Sequence, residues 1–115
     1  MKIGVITTQY SPNYGALLQT FALQQYLSGI DEVDDVEVID YYPAHANAYW
    51  SVYSKKKDIK NRLHNVYLFF HRKNVRAKNK QFEVFRSFIN QNINCSKRYS
   101  AETILNTRDK YYVFI

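Results

Sequence analysis

At 115 residues, with a net charge of +6, 46% hydrophobic residues and 17% aromatics, the chain has apolar side chains enough for one modest core and is too rich in Tyr and Phe for disorder. A second domain is not expected at this length, and the single cysteine, Cys95, excludes an intramolecular disulfide, as in a cytoplasmic chain. Val66–Phe70, the longest apolar run beyond the first strand, is far short of the roughly 20 residues that cross a bilayer, and no signal-peptide core is visible.

Lys2–Thr7 reads as a strand buried on both faces, since Ile3, Val5 and Ile6 are β-branched around Gly4. Ser11-Pro12-Asn13 then breaks the chain with turn formers. A helix is predicted over Tyr14–Ser28, with Tyr14, Leu17, Leu18, Phe21 and Ala22 on its buried face and Gly29 as its stop; Gln19, Gln24 and Gln25 fall near the margins. Asp31–Asp35 is an acidic surface loop. Val36, Val38 and Ile39 make a second strand, parallel to the first because a helix joins them by a right-handed crossover.

Tyr41-Tyr42-Pro43 ends that strand, and residues 44–54 read as irregular and aromatic. Lys55–Asn92 is helical again, as two helices or one bent one: Ile59, Leu63, Val66 and Phe70 form one stripe, Phe82, Phe85, Phe88 and Ile89 another, with Arg72–Lys80 unpatterned between them. Ser100 would cap a short helix ending near Leu105, and Tyr111–Ile115 reads as a third strand. The long helical excursion gives the chain room to cross to the far side of the first strand. The expected fold is therefore an α/β unit with a parallel sheet in the order 2-1-3, flanked by helices. An apolar strand at the very end suggests that residues 1–115 are the N-terminal portion of a larger α/β domain.

Charge is unevenly placed. Residues 1–54 carry one base against six acids, residues 55–80 ten bases against one acid, and residues 81–115 five bases against three acids. The basic run, with Tyr53, Tyr67, Phe69 and Phe70 nearby, reads first as a solvated helix face and second as an anionic-membrane or nucleic-acid surface. Without an RNP, KH or helix-turn-helix pattern no specific nucleic acid is expected, and because its ten bases lie on exposed helix with little apolar insertion surface the segment should make only weak, salt-sensitive contact with a membrane surface.

The turn and helix after the first strand form the natural ligand site of such a unit, because ligands settle at the carboxyl ends of parallel strands. Gly15 would let a backbone approach a ligand, and Asn13 would either cap the helix or donate to that ligand. Asp40 closes the second strand, either as a holder of a ribose hydroxyl or as a cap of the next turn. No GxGxxG or GxxxxGK[ST] pattern is present, His45, His64 and His71 lack metal-ligand spacing, and Cys95 has no nearby His, so no metal or cofactor is expected and Cys95 reads as a plain, partly buried cysteine.

Asn13-Tyr14-Gly15-Ala16 with Leu18-Gln19, Ala22-Leu23-Gln24 and Ile39-Asp40-Tyr41 resembles the N-terminus of the polysaccharide pyruvyl transferase family. A weaker echo follows in Phe82, Phe85, Ser96, Tyr99 and Ser100, and Tyr111–Ile115 resembles the start of the family's central strand, with Tyr112 where an Asp is usual. The resemblance implies two Rossmann-like halves facing a cleft, as in GT-B glycosyltransferases. It implies transfer of a pyruvyl group from phosphoenolpyruvate to sugar hydroxyls of a glycan or lipid-linked acceptor, as a ketal, in the cytoplasm or at the inner face of the membrane.

The donor-gripping Arg and His residues of that family belong mostly to the second half. The resemblance thus leaves the catalytic residues unassigned, implies that residues 1–115 alone are inactive, and carries over Asn13, Tyr14, Gly15 and Gln19 as acceptor-side lining of the cleft. Half of a nucleotide-sugar GT-B glycosyltransferase and a small basic anion-binding module are the alternatives.

Overall fold

The computed structural model describes residues 1–115. Strands β1 (Lys2–Val5), β2 (Asp35–Val38) and β3 (Val113–Phe114) form one parallel sheet in the order β2-β1-β3, the order expected from the sequence. Ile3 of the central strand stands between Val36 and Val113. Ladder bonds run on past the strand, from Ile6 N–H to Ile115 O and from Ile39 N–H to Val5 O, both at 2.8 Å. Ile6 is nonetheless 46% exposed, so burial on both faces stops at Val5 and does not extend to Thr7 as expected.

Helix α1 (Tyr14–Ser28) has the expected bounds, opened by Asn13, whose Oδ1 accepts from Ala16 N–H at 3.2 Å. Its buried face differs from the expected one: Leu17, Thr20, Gln24 and Leu27 point inward, while Tyr14, Leu18 and Ala22 are exposed. Polar side chains take inner positions because partners wait there. Thr20 Oγ1 lies 2.8 Å from Thr7 Oγ1 and donates to Ala16 O, and Gln24 bonds Val36 and Asn94.

After β2 a 3₁₀ turn (Ala44–Trp50) replaces the irregular stretch expected there. Helices α2 (Ile59–Phe70) and α3 (Arg72–Asn92) are separated only at His71, so the basic stretch expected to lack pattern is the first part of α3. The two apolar stripes fare differently. Phe82 and Phe85 are buried, but α2 buries no residue at all, and its stripe of Ile59, Leu63, Val66 and Phe70 is open to solvent.

Asn94–Tyr99 then runs parallel along the free edge of β2, which accepts and donates in turn: Val38 N–H to Asn94 O, Ser96 N–H to Val38 O and Tyr99 N–H to Asp40 O, each 2.8 Å. One sheet face, Ile3, Val5, Val36 and Val38, is covered by Leu17 and Leu27 of α1, Phe85 of α3, and Ile93. On the other face Ile39, Tyr99 and Tyr111 pack together beside a second 3₁₀ turn (Ile104–Thr107). Ser100 does not cap that turn with its side chain; its own N–H donates to Thr103 Oγ1 at 2.8 Å. No helix is long and apolar enough to cross a membrane.

Glu37 ties this second face together. Its carboxylate takes Lys110 Nζ at 2.7 Å, Lys2 Nζ at 3.5 Å and the Tyr111 hydroxyl. Burial alone would raise its pKa, but the bonds from Lys110 and Tyr111 outweigh that and hold the carboxyl below its ordinary value. A carboxyl depressed on folding stabilises the fold above its unfolded value, and that contribution is lost as pH falls through the folded value. Unfolding stability is therefore expected to fall below about pH 4.5, the carboxyl's ordinary value. In Glu37→Gln, denaturant melts across this range should show a shallower decline; an unchanged slope would assign the acid limb to other carboxylates.

Candidate functional site

In a parallel sheet the chain leaves every strand at one edge, so the loops that follow converge there. Thr7–Asn13 leaves β1, Asp40–Tyr42 leaves β2, Ser96–Arg98 lies in the edge segment beside it and Ile115 follows β3. The first loop is fixed from beneath by Gln9, which is 2% exposed. Its Nε2 donates to Ile39 O at 3.1 Å and its Oε1 accepts from Thr7 Oγ1 at 3.0 Å. Above the loop, Trp50 Nε1–H donates to Tyr10 O at 2.6 Å, and its ring meets Phe82 edge-on at 5.6 Å. The 3₁₀ turn is thereby held between the β1 loop and α3.

Between these parts lies a crevice of about 530 Å³. Tyr10, Asp40, Tyr42, Asn47, Trp50, Arg86, Asn90 and Arg98 line it with Gln9, Ile89, Cys95 and Ser96. Arg98 Nε donates to Asp40 Oδ2 at 3.0 Å while its guanidinium lies 4.1 Å above the Tyr42 ring. Arg86 lies 4.8 Å from the Trp50 ring, and Ser96 Oγ accepts from Asp40 N–H at 3.0 Å. Asp40 thus pairs with Arg98 where the sequence offered a turn cap or a ribose contact. Burial, with the Asp40 and Glu37 carboxylates behind it, pushes the Cys95 thiol up to about 11, which leaves it protonated at neutral pH and a poor nucleophile.

A shallower depression of about 420 Å³ adjoins on the far side of Tyr10, lined by Thr8, Ser11, Asn13, Ala16, Gln19 and Tyr49 as well. Of the four residues singled out in the sequence, Asn13 and Gln19 open onto it. Tyr14 turns elsewhere, its ring 4.5 Å from that of Phe85. Gly15 is exposed and lines neither cavity; a Cβ there would meet only Asn13 Oδ1, at 3.2 Å.

The crevice offers two guanidinium groups, one carboxylate and, beside the already bonded Gln9, the two amides of Asn47 and Asn90 against aromatic walls, a set that can donate to and accept from a polyhydroxylated ligand in several directions. No cluster of His, Cys, Asp or Glu suited to a metal ion is present. A larger cavity of about 640 Å³ between the first 3₁₀ turn and α2 takes no residue from a strand end, so nothing rigid positions its lining. Sequence reading missed Tyr10, Asn47, Trp50, Arg86, Asn90 and Arg98 because they come from four separate segments. The only local signals were the lone Trp and the position of Arg98 inside Ser96–Ser100. No protein-family model, no curated protein and no solved structure matches this chain.

Proposed function

We propose that this chain is the N-terminal, acceptor-side part of a Rossmann-like, GT-B-type transferase that moves a pyruvyl group from phosphoenolpyruvate to a sugar acceptor. The observation that carries this reading is the pair of hollows that share Tyr10 at the carboxyl edge of a parallel sheet, one lined by the motif residues Asn13 and Gln19 and the other by Asp40 and Arg98. The edge segment supports the doubly wound part of the proposal. Counted as a ribbon, it gives a chain order of 3-2-1-4, the order of the doubly wound dinucleotide folds.

In the proposed reaction two sugar hydroxyls add to C2 of phosphoenolpyruvate, the methylene gains a proton to become methyl, and phosphate leaves with the other proton. The residues of this chain bind and orient the acceptor: Asp40 accepts from a sugar hydroxyl, and Arg98, Arg86 and Asn47 donate to ring substituents. Their role is positioning of the hydroxyls, which shortens the reach to the donor.

The test assays the full-length encoded protein for phosphate release from phosphoenolpyruvate with free and lipid-linked hexoses. Expected are acceptor-dependent release and a pyruvyl ketal in the product. Asp40→Ala is expected to lower kcat/KM by about tenfold or more while changing stability by about 1 kcal/mol, since Asp40 is only partly covered and its partner Arg98 stands in solvent. Sugar transfer from a nucleotide-sugar in the same assay, with phosphoenolpyruvate inert, would replace this reading by the glycosyltransferase one.

A further inference from the structure

Helix α2 is amphipathic and turned inside out. Its inner side carries Asn61, Asn65 and Leu68, each half-buried, and Asn65 holds Ser54 by a two-way pair, accepting from Ser54 N–H at 2.9 Å and donating to Ser54 O at 2.8 Å. The opposite side presents Ile59, Leu63, Val66 and Phe70 at 77%, 66%, 54% and 77% exposure. At 100° per residue these four fall within one narrow stripe, with Lys60 on one flank and Arg62 on the other. An apolar stripe left open on a helix otherwise able to bury it marks a contact surface.

Charge selects the occupant. The segment from Lys55 to Lys80 holds ten bases and one acid, so two copies brought together through this face would repel, whereas a negatively charged surface would be drawn to it. A continuous apolar stripe flanked by Lys and Arg fits the boundary between anionic headgroups and acyl chains. We propose that α2 lies on anionic lipid, with Ile59, Leu63, Val66 and Phe70 inserted and Lys60 and Arg62 at the headgroups. This inference is independent of the pyruvyl transfer reading and strengthens the weak surface contact expected from the basic run alone.

The test is flotation of the 115-residue chain with vesicles. Phosphatidylcholine vesicles containing phosphatidylglycerol are expected to carry the protein, and vesicles of phosphatidylcholine alone to leave it behind. Leu63→Glu combined with Phe70→Glu is expected to lower the partition coefficient by about a hundredfold, roughly tenfold for each side chain withdrawn from the acyl region. Its circular dichroism and Tm should match the parent, because neither side chain packs in the fold. Lys60→Glu combined with Arg62→Glu is expected to weaken binding by about tenfold or more and to flatten its salt dependence. The proposal is overturned if anionic vesicles fail to carry the chain, if the Leu63/Phe70 pair binds as the parent does, or if the chain dimerises in lipid-free buffer and those substitutions abolish the dimer while vesicle binding persists.

Discussion

Gln24→Glu is expected to lower unfolding stability by about 3–5 kcal/mol at neutral pH, a large part of what a domain of this size has to lose. Gln24 is 3% exposed and fastens three segments at once, α1, β2 and the edge segment: its Nε2 donates to Val36 O and to Asn94 O, both at 3.0 Å, and its Oε1 accepts from Asn94 N–H at 3.0 Å. A glutamate keeps the shape and loses the donor. Its charged oxygen would face two carbonyl oxygens with no water to screen it. A protonated carboxyl donates again, so the folded pKa of the new glutamate is raised and the loss is present only above its unfolded value.

Denaturant melts should therefore show most of the deficit at pH 7 and a clear recovery near pH 4 relative to the parent. Gln24→Leu separates charge from shape and should cost about 1–3 kcal/mol with no such recovery. Both carbonyls keep second donors, Asn94 Nδ2 for Val36 O and Val38 N–H for Asn94 O, so only the Asn94 N–H is orphaned. A Glu variant as stable as the parent at pH 7 would mean that this stitch is wet. Gln24 does not line the crevice, and its bonds to Val36 and Asn94 give it a structural role.

The same residue shows where sequence reading reached its limit. The bounds of α1 were legible because Asn13 and Gly29 act locally, through a cap and a stop. Its buried face was not, because Leu17, Leu18, Phe21, Leu23 and Leu27 surround the helix and no stripe dominates. The face was decided by Thr20 and Gln24, whose partners lie on other elements. Asn94–Tyr99 was missed for a related reason: Asn, Ser, Lys and Arg do not read as a strand, yet the free edge of β2 accepts any backbone.

In α2 the period was legible and its direction was not. A stripe of Ile59, Leu63, Val66 and Phe70 is equally a core face or a docking face until the remaining elements are placed. The candidate crevice lies between these cases. Asp40 was visible as a strand-end acid, whereas Arg98 and Arg86 reach it only through the edge segment and α3, at separations no local pattern records.

Gly4 carries the other large expected effect. It sits in the central strand with Ile39 and Tyr111 laid over it, and a Cβ there would come within 2.8 Å of Tyr111 Cγ and 2.9 Å of Ile39 Cδ1. Neither neighbour is free to yield. Ile39 is fully buried, and Tyr111 is 6% exposed, fixed by its hydroxyl on Glu37 and by the Tyr112 N–H bond to Lys2 O at 2.9 Å. Gly4→Ala is expected to cost about 2 kcal/mol and Gly4→Val about 3 kcal/mol or more, from overpacking that must push β3 and the Tyr111 ring off the sheet. Because β3 pairs only with β1, through Ile3–Val113 and Gly4–Phe114, the damage should spread along that ladder, and amide exchange at Tyr112 and Ile115 should accelerate before exchange in β2 does. Removing the obstruction should relieve the strain. In a double-mutant cycle, Gly4→Ala combined with Tyr111→Ala should be less destabilising than the sum of the two single changes by about 1 kcal/mol or more. Strict additivity, or a Gly4→Ala chain within about 0.5 kcal/mol of the parent, would show that the ring does not rest on Gly4 and that the second face of the sheet has room for a methyl group.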